Sequence, residues 1–163
     1  MKNIEEKIIH PLKPIFNKDS KVLILGSLPS RKSRENKMYY SHPKNRFWSV
    51  LSAIFNEEEP IANEEREKFV LKHNIALWDV LHSCKIKGSS DSSITEPVIN
   101  DFNIIFNECE IRAVFTTGKT ATKLYKKLTN KESIYLPSTS PANCVISFDD
   151  LVNEYKKILN YLN

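Results

Sequence analysis

The strongest constraint on the fold is the stretch Lys21-Val22-Leu23-Ile24-Leu25-Gly26. It is a short aliphatic run with no polar alternation. A strand of that kind is buried on both faces, which points to a parallel sheet covered by helices on each side. Gly26 ends the run, and Ser27-Leu28-Pro29-Ser30 leaves its carboxyl end, where open parallel sheets hold their ligands. Residues 75–81, Arg112-Ala113-Val114-Phe115 and Ser133-Ile134-Tyr135-Leu136 read as three further strands. Helical spacing fills the intervals. Phe47, Trp48, Val50, Leu51, Ile54 and Phe55 share one face of a helix that starts near Asn45. Asn63-Glu64-Glu65 opens a helix that carries Phe69 and Val70 inward, and Asn100 is read as the cap of one holding Phe102, Ile105 and Phe106. Ala121, Leu124, Tyr125 and Leu128 form another stripe. Ser147 is read as the cap of a last helix bearing Leu151, Val152, Tyr155, Ile158, Leu159 and Leu162. The alternation predicts an α/β fold: a three-layer α/β/α sandwich on a four-stranded, mainly parallel sheet, in one domain spanning 1–163. Residues 1–18, interrupted by Pro11 and Pro14, predict a short helix or extended arm that packs Ile8, Ile9, Leu12, Ile15 and Phe16 onto the body.

Length allows one real core and hardly two, at 163 residues. No apolar run reaches the roughly eighteen residues of a membrane span, and the opening residues lack a signal peptide's apolar core. The expectation is a cytoplasmic protein without membrane contact. Cys84, Cys109 and Cys144 are far apart and form no Cys/His cluster, which argues against a zinc site, an iron–sulfur cluster or any other metal centre. They are expected to be reduced and mostly buried. Net charge is +4, unevenly spread. Arg31, Lys32, Arg34, Lys37, Lys44 and Arg46 are opposed only by Glu35, whereas residues 57–68 are rich in Glu. The basic segment suits a phosphate backbone, and equally a solvated loop of lysines.

The chemistry concentrates in Tyr39-Tyr40-Ser41-His42-Pro43-Lys44-Asn45-Arg46-Phe47-Trp48, which sets four aromatics among basic and amide groups. Pro43 fixes its own φ and pushes His42 to extended geometry, so an ordered loop precedes the helix. Asn45 at the helix start reads on its own as a cap. His42 reads either as a general acid or base or as a structural hydrogen bonder. Thr116-Thr117-Gly118-Lys119-Thr120 joins a strand to a helix whose free N–H groups form a phosphate seat. It is not a P-loop, because Ala113 stands where the first Gly of that pattern belongs. Residues 87–93, small and polar, read as a surface loop. A serine hydrolase is excluded, because Gly26-Ser27-Leu28-Pro29-Ser30 is not Gly-x-Ser-x-Gly.

Three strand-exit segments then stand out together: Gly-Ser-Leu-Pro-Ser at 26–30, the segment 39–48, and Leu-Pro-Ser-Thr-Ser-Pro-Ala-Asn at 136–143. In this trio the chain resembles the uracil-DNA glycosylase superfamily, most of all its hypoxanthine-DNA glycosylase branch, which is related to the mismatch-specific uracil/thymine enzymes. Ala76-Leu77-Trp78-Asp79-Val80-Leu81 and Gly88-Ser89-Ser90-Asp91 resemble that branch too. The chain departs from the mismatch-specific enzymes at Leu28, where they carry Asn. It also lacks the Asp and His that the main uracil enzymes use in the first and last motifs.

The resemblance implies a cofactor-independent, monofunctional glycosylase of base excision repair. It would act as a monomer on single- or double-stranded DNA, releasing a flipped, deaminated base: hypoxanthine, or uracil or xanthine. It makes Asn45 catalytic, as an amide that orients water on a dissociative path and cannot itself remove a proton. Gly26, Ser27, Leu28, Pro29, Tyr40 and His42 would form the base pocket, with Tyr40 as the stacking face. Lys44, Arg46 and Lys119 would meet phosphates. Ser138, Thr139, Ser140, Pro141, Ala142 and Asn143 would approach the DNA. The alternatives are a non-catalytic damaged-DNA binding module of the same fold, supported by the departure at Leu28, and a related enzyme acting on uracil or a damaged pyrimidine.

Overall fold

The computed structural model describes residues 5–88 and 91–163. Its elements in order are β1 (Glu5–Ile9), β2 (Val22–Gly26), α1 (Arg31–Asn36), α2 (Phe47–Phe55), α3 (Asn63–Lys72), β3 (Ile75–Asp79), β4 (Leu81–Lys87), β5 (Thr95–Ile99), α4 (Asn103–Phe106), β6 (Ala113–Thr117), α5 (Lys119–Thr129), β7 (Ile134–Leu136) and α6 (Phe148–Tyr155). The central sheet has the order β3-β2-β6-β7, and every pair in it is parallel. All five residues of β2 are buried, as a strand sandwiched between two helical layers requires. The four strands expected from the apolar runs are the four found, so the α/β reading holds.

The order of the strands creates the site. The chain leaves β2 and returns on one side as β3, while β6 lies on the other side of β2 and continues outward to β7. Right-handed crossovers in opposite directions put α3 and α5 on opposite faces. The loops after β2 and β6 therefore diverge, and a crevice opens between their carboxyl ends. α6 packs against α2, with Tyr155 edge-on to Phe47 at 6.5 Å. Phe47, Trp48, Tyr155 and Phe115 are among the largest fully buried side chains, and the core continues through Leu23, Leu25 and Leu77.

The structure corrects several expectations. The amino-terminal arm is extended: β1 pairs antiparallel with β4, which pairs with β5, making a second sheet of three strands. Ile8 is buried there but Ile9 is 59% exposed, so Ile9 does not pack onto the body. Beyond β1, Ile15 and Leu77 exchange two backbone hydrogen bonds of 2.9 Å, covering the open edge of β3. The strand expected over 75–81 ends at Asp79, and Leu81 already belongs to the second sheet. Asn100 is not a cap. Its buried Nδ2 donates to the carbonyls of Asp79 and Leu81, clamping the junction between the two sheets. Phe102 occupies the cap position of α4, and Asp101 before it accepts at Oδ1 from Asn103 N. Ser147 caps α6 as expected, accepting from Asp150 N. Only Cys84 is buried; Cys109 is half-buried and Cys144 exposed. Of the polar segment 87–93, Lys87 ends β4 and 91–93 form a short 3-10 turn, while Ser89 and Ser90 lie outside the described residues. No helix among the described residues is long and apolar enough to cross a membrane.

Candidate active site

A cleft of ≈ 560 Å³ opens at the crevice between β2 and β6, within the ~300–1,000 Å³ range of small-molecule sites. Residues from all three segments line it: Gly26 to Ser30, then Tyr40, His42 and Asn45, then Ser138 to Ala142. Contrary to expectation, the second segment does not leave a strand but joins α1 to α2. The expected convergence therefore occurs.

The segment 39–48 is pinned from beneath. Buried Trp48 donates from Nε1 to the Tyr39 carbonyl at 2.9 Å, and Tyr39 Oη donates to the Lys13 carbonyl at 2.8 Å. Tyr40 follows with φ 54, a left-handed conformation uncommon for a residue with a side chain. That turn lays the Tyr40 ring on Phe47, stacked at 3.8 Å and 16°, with its hydroxyl 3.2 Å from Thr117 Oγ1. Burial, and after it the nearby Asp79 carboxylate, pushes the Tyr40 phenol far up, so it stays protonated. His42 Nδ1 accepts from Lys44 N at 3.0 Å. A neutral His42 therefore carries its proton on Nε2, and the structural hydrogen bond is present.

Asn45 lies before the cap position, which Arg46 occupies. Its Oδ1 accepts from Phe47 N at 2.9 Å and from Thr139 Oγ1 at 2.8 Å. Phe47 N–H can only donate, which fixes the amide's oxygen there and leaves Nδ2 as the end without a hydrogen-bond partner among the described residues. Asn45 thus does locally what a cap does, satisfying a free N–H at the start of α2. With both lone pairs of its oxygen engaged, what it can offer a ligand is a donor.

The third segment is locked to the second. Arg46 N donates to the Thr139 carbonyl, Nη1 to the Ile146 carbonyl and Nη2 to the Asn143 carbonyl. Two guanidinium donors expected at a phosphate are therefore engaged inside the protein. Thr139 is 1% exposed, so it cannot touch DNA as expected; it holds the Asn45 amide instead. Ser138, Ser140, Pro141 and Ala142 do line the cleft. Asn143 does not, because its Nδ2 turns back to the Ser138 carbonyl at 2.9 Å. Gly118, at φ 90, lets the β6–α5 turn pass close to Ser138, whose Cβ would lie 3.4 Å from any Cβ added there. Lys44 and Lys119 are exposed and outside the lining.

Four charged residues lining the cleft lie outside the pocket expected from sequence, although three of them were read there as part of a basic, phosphate-suited segment. Arg31, Lys32 and Arg34 of α1 form a basic wall, and Arg34 Nε is buried without a hydrogen-bond partner among the described residues. The surplus of positive charge over 31–46 was their signal. Asp79 lies at the floor, 3% exposed, its Oδ2 2.8 Å from His10 Nε2. A carboxylate closing an apolar strand could have flagged it, just as Gly26 was flagged. Nothing in the sequence pairs it with His10. Among the described residues no group of three or more His, Cys, Asp or Glu side chains could hold a metal ion.

Comparison with known proteins gives the same family from several directions. Residues 14–163 match the family model for the Uracil DNA glycosylase superfamily. A protein of Methanosarcina barkeri named hypoxanthine DNA glycosylase is 39% identical over 108 residues, covering 65% of this chain and 68% of that protein. A protein of the same name from Methanosarcina acetivorans is 35% identical over 133 residues, 79% of this chain and 84% of the relative. A Methanosarcina acetivorans structure solved by solution NMR as a candidate uracil DNA glycosylase superimposes with a TM-score of 0.76 at 29% identity, covering 92% of this chain and 98% of that one.

Proposed function

Since the chain belongs to the Uracil DNA glycosylase superfamily, we propose that it hydrolyses the N-glycosidic bond of a deaminated base flipped from DNA, hypoxanthine foremost. It works as a cytoplasmic monomer without a cofactor. The observation that carries this reading is the Asn45 amide, whose oxygen is fixed by Phe47 N–H and Thr139 O–H so that only its NH2 is left for a ligand in the cleft.

The chemistry follows from what an amide donor can do. The glycosidic bond breaks first, its electron pair goes to the base, and the sugar becomes an oxocarbenium ion. Donors on the cleft wall, the Ser27 and Leu28 N–H groups among them, hold the departing base. Asn45 Nδ2 donates to one lone pair of a water, leaving the other to attack C1′. The water's proton passes to solvent, since the amide takes none. Tyr40, backed by Phe47, supplies the stacking face. Arg31, Lys32 and Arg34 meet phosphates flanking the flipped nucleotide, giving the unpartnered Arg34 Nε an acceptor.

The test is a panel of duplexes carrying hypoxanthine, uracil, xanthine or a thymine mismatch, incubated with the protein and then cleaved at abasic sites with alkali. Strand cleavage is expected, strongest for hypoxanthine. Retention on damaged DNA with no abasic product from any duplex would replace this reading with that of a binding module.

A further inference from the structure

Two side chains lining the cleft have their acceptor atom taken up by a backbone N–H two residues on. One is Asn45, whose Oδ1 accepts from Phe47 N. The other is His42, whose Nδ1 accepts from Lys44 N at 3.0 Å. The His42 Nε2 makes no hydrogen bond among the described residues, so this ring offers the cleft one fixed N–H. Ser41, between Tyr40 and His42, turns the other way. It is 9% exposed; its N donates to Ser33 Oγ, its Oγ to the Lys32 carbonyl, and Asn36 Nδ2 donates to its Oγ, each at 3.3 Å. Tyr40 and His42 therefore share the cleft side of an extended segment tied to α1. That tie sets His42 beside the basic wall. Lys32 is shared there with Glu35 at 3.6 Å, whereas Arg31 and Arg34 have no ion-pair partner among the described residues.

Resting on the glycosylase reading above, we propose that His42 and Arg34 form one phosphate seat, in which the His42 Nε2–H and the Arg34 guanidinium grip a phosphate of the flipped nucleotide itself while its base lies on Tyr40. In an extended segment, side chains two residues apart stand roughly 6–7 Å from one another. In a nucleotide, one sugar separates the base from its phosphate and fills such a span. A base on Tyr40 thus brings a phosphate, not its own ring edge, to His42. The phosphodiester takes a donor at each charged oxygen, and the guanidinium supplies the opposing charge. It also gives the buried Arg34 Nε an acceptor, whose lack costs stability in the free protein. A seat of this kind does not depend on the base. It holds the abasic product as well as the substrate, and it has no hold on a free nucleoside.

Affinity for a duplex carrying tetrahydrofuran, an abasic analogue with no base to excise, isolates the seat. Two variants separate the two nitrogens of His42. In His42→Asn the amide oxygen can still accept from Lys44 N, but no donor reaches the Nε2 position. His42→Gln does the reverse. The Asn variant is expected to bind ~10-fold more weakly, the scale of one hydrogen bond to a charged group, and the Gln variant to recover most of that loss. A purely structural His42 would give the opposite order. A neutral methylphosphonate, placed 5′ or 3′ to the tetrahydrofuran in turn, should weaken wild-type binding ~10-fold at one of the two positions. That cost should shrink in His42→Asn, because the two changes remove the same contact. The wild-type half of this comparison needs no variant to fold. Wild-type binding indifferent to both methylphosphonates, costs equal in the wild type and the Asn variant, or a Gln variant weaker than the Asn variant would overturn the seat. The expected pattern from a protein that releases no hypoxanthine would keep the seat and remove only the glycosylase reading.

Discussion

Replacing Asn45 with Ala separates two effects that meet in one amide. Its Oδ1 satisfies Phe47 N at the start of α2 and Thr139 Oγ1 beneath the third loop. Losing the first is the loss of a helix cap, typically ~1 kcal/mol. Losing the second leaves the hydroxyl of a buried residue without its partner, about 1–3 kcal/mol. Together they destabilise by ~2–4 kcal/mol, which for a domain of this size lowers Tm by about 5–15 °C. Excision should fall ~10²–10³-fold through loss of the donor, as when an oxyanion-hole amide is removed. The double variant Asn45→Ala/Thr139→Val tells the effects apart. It removes the stranded hydroxyl, so Tm should rise above that of the single variant while excision stays lost. Thermal unfolding and single-turnover cleavage of a hypoxanthine duplex measure the two. Wild-type excision rates in a folded double variant would show that the amide takes no part in the chemistry, and identical Tm values for single and double variants would show that the Thr139 bond to Asn45 does not exist.

Two further substitutions probe the floor and the periphery. Gly26→Ala would place a methyl 2.6 Å from Asp79 Oδ1, which His10 prevents from yielding freely. Such overpacking costs about 1–3 kcal/mol, and excision should fall further than the change in urea midpoint accounts for; a fully active Gly26→Ala protein would refute the described floor. At the periphery, burial holds the His73 pKa below its usual value, winning over the opposing pull of Glu57. The unfolded chain then binds more protons than the folded one, so His73 contributes stability above its unfolded pKa of about 6.5 that is lost as pH falls below it. His73→Phe should flatten the fall in urea-measured stability below that pH; an unchanged profile would assign the acid sensitivity elsewhere.

The central sheet was legible because each of its strands is a run of apolar residues, and a fully buried strand cannot be written otherwise. The second sheet was not. β1 reads Glu-Glu-Lys-Ile-Ile, and β5 contains Pro97 and a left-handed Glu96 at φ 50, both of which argue against a strand in isolation. β4 alternates in burial only in part, because Ser83 and Cys84 are both buried where its pairing with β5 shifts register, and exposed residues such as His82 disguise it further. At the site, residue types announced Asn45, Tyr40 and Gly26, yet their connections depend on distant partners. Thr139 lies 94 positions from the amide it orients, and His10 lies 69 from Asp79. Thr139 read as a DNA-facing residue because a small polar residue in a loop has the same composition whether it faces solvent or a buried amide. Arg46 likewise read as a free cation because its acceptors are backbone carbonyls, which leave no mark in sequence.

Those connections make the second and third loops one mechanical unit. Arg46 reaches Thr139, Asn143 and Ile146 through three separate donors, and Thr139 in turn bonds the Asn45 amide. A loop held at one point could pivot; one held at three points spread over eight residues cannot do so without breaking a charge-assisted hydrogen bond. The exposed part of that loop runs through Pro141 and Ala142 to Val145, which is 94% exposed. Any force a bound strand exerts there is passed through Arg46 and Thr139 to Asn45. The geometry of the amide is thus fixed before a base arrives, which is where preorganised donors gain over water. On the proposed role of Asn45, the same wiring is what would let an amide suffice. A donor that need not reorient keeps its full effect at the moment charge develops, and no proton transfer to the side chain has to be arranged.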